Sequence, residues 1–219
     1  MWDHFKDPGY FKHAKVLFDD MANLDKFGLN GMVSCQNQRV FFPTGLGMIA
    51  MAEALWNKNT DFDAMAKDYF MKAFGDDGLA VMEYMSTLSD LFDPPYLRAE
   101  REVISAESAE KFAEIPGVID EVSDVIARNI AAGEAGELDP AQLSSWDILT
   151  YHAELCKLIA KMLEYIARDD FDKATEMKEV VYSYARMHES ELHDVFDVNL
   201  FISTFERHII GKILKKLNR

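Results

Sequence analysis

The chain has 219 residues, of which 49% are hydrophobic and 28% charged, with a formal charge of −15 at pH 7 and a pI near 4.7. That balance is typical of a folded domain and not of a disordered chain. It also sets nucleic acid aside, because phosphate-backbone binding depends on clustered Lys and Arg. The basic run "KILKKLNR", Lys212 to Arg219, is read as the end of a helix, where cations complement the dipole.

No apolar run approaches the roughly 20 residues that a membrane-spanning helix needs, so no membrane partner is expected. Cys35 and Cys156 have no CxxC neighbour and are read as small buried hydrophobes, not as a disulfide framework. The start, "MWDHFKDPGYFKHAK", lacks the positive-then-apolar pattern of a secretion signal. The expected location is cytoplasmic if Met1 is the natural start.

In chain order, "YFKHAKVLFDDMANLDKFG" predicts an amphipathic helix over Tyr10 to Phe27, stopped by Gly28. Small residues in "GLGMIAMAEALW" predict a closely packed helix from Leu46 to Trp56. In "NTDFDAMAKDYFMKAFG", Thr60 is a candidate cap, and Phe62, Ala66, Tyr69, Phe70 and Phe74 keep helical spacing up to Gly75. "DDGLAVMEYMSTLSDLF" predicts another helix, closed by Pro94 and Pro95. Met82, Met85, Phe70 and Phe74 are assigned to the core.

Further on, a helix from Tyr96 to Glu114 is expected, with Pro116 opening the next at its first position. "AAGEAGELD" is the most linker-like stretch, and Asp139 and Pro140 restart the chain. Leu149, Ala153, Cys156, Ile159, Leu163 and Ile166 share one face of a long helix. Helices over Phe171 to His193 and Val195 to Leu217 complete an expected antiparallel three-helix bundle. The organisation is therefore mainly α: a helix-strand-helix segment (1–57), a helical connector (58–138) and a three-helix bundle (139–219), packed as one unit.

One stretch breaks the pattern. "GMVSCQNQRVFFPTG" follows a glycine-stopped helix and reads as a short buried strand with a polar end, the order found in parallel α/β units. Ligands in such sheets sit at the carboxyl ends of the strands. No neighbouring strand is apparent elsewhere in the sequence.

The run from Leu24 to about Tyr84 carries the glycine-bearing "GLNGMV", the "ALWN" closing a small-residue helix, and the aromatic helix "DFDAMAKDYFMKAFG". It resembles the end of the barrel in a bacterial family of glycoside-hydrolase-like proteins, with TIM barrels of α-glucuronidase and hexosaminidase type and a helical tail. The later helices resemble that tail more loosely. The resemblance implies that the segment near residues 31–42 is a remnant barrel strand, with most of the barrel absent from this chain. Gln36, Asn37 and Arg39 would then face a sugar cleft, with Trp56 available to stack on a sugar ring. Carbohydrate, the missing barrel portion, or a second copy meeting this one through residues 31–42 are the partners it implies.

Glycoside hydrolysis needs two carboxyl groups flanking the scissile bond. The segment "SCQNQR" has none, and Asp19, Asp20 and Glu53 lie on helices, so no catalytic residue is assigned and no cofactor is expected. In "MHESELHD", His188 and His193 are five apart, not four as in a HExxH zinc helix. They are weak metal candidates, and His152 and Glu154 on the long helix could approach this region. Three functions follow: the helical domain of a carbohydrate-active protein without hydrolase activity of its own, a helical scaffold or protein-interaction module, and a bundle metalloprotein.

Overall fold

Asp61, Ser105, Asp139, Asp170 and Asp197 each accept a backbone N–H from the first turn of the helix that follows. The computed structural model describes residues 4–33 and 39–217. Its first helices are α1 (Phe11–Ala22), α2 (Leu46–Trp56), α3 (Phe62–Phe74) and α4 (Gly78–Leu91). Asp61, not Thr60, caps α3, its carboxylate accepting from Ala64 N at 2.7 Å. α3 stops at Gly75, whose φ of 68° favours a residue without a Cβ.

After the short α5 (Pro94–Leu97), α6 runs unbroken from Ala106 to Glu134, capped by Ser105. Pro116 therefore lies inside a helix and does not open one. Proline removes one backbone donor and crowds the carbonyl four residues back. The continuous apolar face of α6, from Ala109 and Phe112 through Ile115 and Ile119 to Ile126, carries the helix across that defect.

A tight turn leads to α7 (Pro140–Ala167), antiparallel to α6 and packed along it more extensively than any other helix pair in the chain. α8 (Phe171–Met187) covers another side of α7. The C-terminal segment runs as α9 (Val198–Thr204), a π turn (Phe205–Ile210) and α10 (Gly211–Lys216). The architecture is a mainly α multi-helix bundle. Its buried apolar side chains form one cluster from Phe5 to Ile213. Among the described residues, no helix is long and apolar enough to cross a membrane.

α1 has no cap of its own. Tyr10, at the cap position, is left-handed and offers no side-chain acceptor to the first turn. Two distant side chains take that role. Asp7 accepts from His13 N at 2.7 Å, and Ser89 Oγ, on α4, accepts from Phe11 N at 3.1 Å and Lys12 N at 3.3 Å. Ser89 Oγ in turn donates to Asp7 at 2.7 Å. An acidic group at this end also matches the helix dipole. Gly9 makes the approach possible: a Cβ there would lie 2.2 Å from Ser89 N and 2.6 Å from the Met85 carbonyl oxygen.

The expected buried strand is not present among the described residues. Leu29 and Val33 are exposed, Val33 fully so, and Gly31–Val33 is irregular. A strand with no partner leaves its backbone groups unpaired, and water satisfies them better than a core does. Beyond it, Val40 makes a single antiparallel bridge to Phe196, and Phe42 stacks on Phe196 with ring centroids 4.3 Å apart.

The Gly9 contact yields a paired test. Gly9→Ala is expected to cost about 2–3 kcal/mol, because it drives a methyl into helix backbone that cannot give way. Gly117→Ala, where a Cβ meets nothing within 4 Å, is expected to be neutral or to stabilise by about 0.5–1 kcal/mol. Urea denaturation of the two variants measures both, and equal effects would contradict this account of Gly9.

Candidate functional site

Arg39 and His193, expected to serve different chemistries, come together. Arg39 Nη1 lies 3.4 Å from His193 Nδ1 and 3.5 Å from the His193 carbonyl oxygen, with Nη2 4.0 Å from Asp197. A guanidinium beside an imidazole nitrogen opposes the arrival of a metal cation there. His188 sits elsewhere, its ring against Tyr151 and Tyr184 at 4.8 and 4.6 Å. Among the described residues, no group of three or more His, Cys, Asp or Glu is arranged to hold a metal ion. Trp56 ends α2 with 91% of its surface exposed. Gln36, Asn37 and Cys35 lie outside the described residues.

A buried polar cluster, not anticipated from sequence, joins α7 to the N-terminal loop. His152 Nε2 is 2.7 Å from the Pro8 carbonyl oxygen, and Cys156 Sγ is 3.2 Å from the same nitrogen. A carbonyl oxygen only accepts, so Nε2 carries the proton and donates to Pro8. It therefore has no lone pair with which to take a proton from the thiol. Burial holds His152 neutral, down to about 4 from an ordinary 6.5, with the Pro8 bond opposing in part. Burial pushes the Cys156 thiol well up, reinforced by the nearby Asp7. Burial also raises Asp7, against the hydrogen bonds from Ser89 and His13.

A reactive cysteine needs the opposite arrangement, with a base free to accept and an electropositive setting. The adjoining cavity, walled by Phe5, Phe42 and Phe196, measures about 10 Å³. That is the space of roughly one water molecule and admits no substrate. The cluster fastens Pro8 to α7.

An opening with an apolar floor lies on the outer side of the α6–α7 hairpin. Small residues at helical spacing, Ser123, Ala127 and Ala131 on α6 and Ala153 on α7, leave a trough where larger side chains would close it. The groove holds about 500 Å³, with Ile126 and Ile130 in its floor. Between Ile119 and Glu134 it follows about 22 Å of helix at 1.5 Å per residue. A second hollow of about 440 Å³, between α7 and α8, shares Glu154 with it and exposes Val180 and Met187.

The rim is acidic. Glu134 and Asp147 both line the end near the α6–α7 turn, and burial, then the Glu134 charge, raises the Asp147 carboxyl. At the far end Lys157 is bound by Asp120 at 2.9 Å and Glu154 at 3.4 Å. The signal for this face was present in "VSDVIARNIAAGEAG", where alanines beside Ile126 and Ile130 widen the apolar stripe beyond what one packed neighbour covers.

Comparison with protein-family models, with curated proteins and with solved structures finds no match in any of the three.

Because His152 is buried neutral, its contribution to stability is fully present above pH 6.5 and is lost as the pH falls toward about 4. The stability gap between the wild type and His152→Gln, whose amide can still donate to Pro8, should narrow by up to about 3 kcal/mol over that window. Urea titrations at several pH values measure it. A gap independent of pH would show that His152 is not held neutral.

Proposed function

We propose that this chain is a helical protein-interaction module that receives a helix of its partner in the α6–α7 groove. The observation that carries the reading is the groove itself: an apolar trough open to solvent, on two long helices whose other faces are committed to the core. A trough about 22 Å long between two ridges of side chains has the proportions of a seat for a third helix. No arrangement for covalent or acid-base catalysis competes with it among the described residues.

A second reading follows the resemblance to glycoside-hydrolase-like proteins: a helical domain that supports a sugar cleft. Its support is Trp56, whose exposed ring could stack on a sugar face. Titration with uronic acids and N-acetylhexosamines, followed by tryptophan fluorescence, should give a change that Trp56→Ala abolishes. Silence with both sugar classes would count against this reading.

For the interaction module, a photo-crosslinking residue at Ala127 or Ala131, introduced into the protein in its source cells, is expected to give a discrete protein adduct. The crosslinked peptide should lie in a partner segment with an apolar helical stripe. The same residue at Ala64, on the exposed side of α3, should give none. Adducts only with a second copy of this chain would make the face a dimer contact, and no adduct at either groove position would contradict the proposal.

A further inference from the structure

The groove's charges say what kind of helix fits it. Among its described lining residues, Glu134, Asp147 and Glu154 are acidic and Lys157 is the cation. Lys157 is already taken up by Asp120 and Glu154. At the opposite end Glu134 and Asp147 both line the groove, and neither has an ion-pair partner among the described residues. The neighbouring cation on α6, Arg128, is turned away to Asp77 at 2.8 Å. The trough therefore has an apolar floor, one end where charge is partly balanced, and one end with two carboxylates and no paired cation.

Closing such a groove with an apolar or acidic helix would strip water from those carboxylates with nothing in return, and the penalty for an unpaired desolvated charge is large. A cation brought to the same place relieves the repulsion and offsets the desolvation. The chain's −15 charge would also speed the approach of a positive partner.

We infer that the groove's occupant is a cationic amphipathic helix, its apolar stripe against Ala127, Ile130 and Ala131 and its Lys or Arg side chains against Glu134 and Asp147. This inference rests on the interaction-module reading above and adds the chemistry of the partner. The positive residues concentrate at the end of the partner helix that lies over the α6–α7 turn. Binding weakens as salt rises, because the rim is partly open to solvent.

The test uses three labelled peptides of roughly 16 residues, about 24 Å as helices, with one shared leucine stripe and a polar face of Lys, Gln or Glu. Fluorescence anisotropy with the full chain is expected to rank them Lys, then Gln, then Glu. The double variant Glu134→Gln, Asp147→Asn should weaken the Lys peptide about tenfold, roughly the effect of losing two partly buried ion pairs. The double variant Glu121→Gln, Asp124→Asn removes the same charge from positions on α6 that do not line the groove, and should change binding less than about twofold if local pairing and not net charge decides.

Equal weakening by both double variants would show diffuse attraction to an acidic protein and overturn the inference. Equal binding of all three peptides, lost on filling the groove with Ala127→Trp, would overturn the inference while leaving the interaction module standing. Binding of none of the three would overturn both.

Discussion

The fold depends on a single helix that is covered from almost every side. α7 contributes Trp146, Leu149, His152, Cys156, Ile159 and Leu163 to the core, and it meets α6, α8, α3 and the N-terminal loop. At 28 residues it is long enough for these neighbours to attach at different heights. Every element that packs on it fixes the others, because close-packed interiors transmit displacement and do not absorb it. The groove lies on a side of the α6–α7 hairpin where, among the described residues, only α6 and α7 line it. The exposed trough is thus a consequence of how the core is built.

The N-terminal loop reaches α7 through polar groups, which makes the attachment specific in a way that apolar contact alone is not. Pro8 is held by His152, Asp7 by Ser89 and by the first turn of α1, and Gly9 allows the chain to pass against α4. Buried polar groups are tolerated when they are hydrogen-bonded, and costly when one partner is removed. Asp7 is fully enclosed, and its carboxylate accepts from Ser89 Oγ and His13 N. The same enclosure leaves about 10 Å³ beside His152 and Cys156. A His-Cys pair in contact looks like a nucleophile and its base, yet the Pro8 carbonyl has already decided where the imidazole proton sits.

Local signals in the sequence translated directly into structure for α2 and for the end of α3. α2 begins at Leu46 and ends at Trp56 as its composition suggests, and α3 stops at Gly75 because a left-handed residue was needed there. Pro116 misled because a proline early in a helix and a proline spanned by one look alike in sequence. The preceding cap at Ser105 was the better signal, since it places the first helical residue at Ala106 and not at Pro116. The segment before Val33 misled for a different reason. Its β-friendly residues suggested burial, but a strand exists only through a partner, and chain composition carries no information on whether one is present. The contacts of Asp7 with Ser89 and of Pro8 with His152 span 82 and 144 residues and leave no local pattern at all. The groove was half legible: the alanine-rich stripe of α6 could be seen, but its facing wall on α7 could not be placed before the hairpin was known.

The central claim is that the outer face of the α6–α7 hairpin is a binding surface and not merely an imperfectly covered core. Methyl NMR of the full chain with the Lys-faced peptide tests it most directly, because alanine methyls report contact at known positions. The account predicts shifts at Ala127, Ala131 and Ala153, in the trough, and none at Ala64 on α3 or Ala113 near the start of α6. Shifts spread over all of these, or confined to methyls away from the groove, would contradict it.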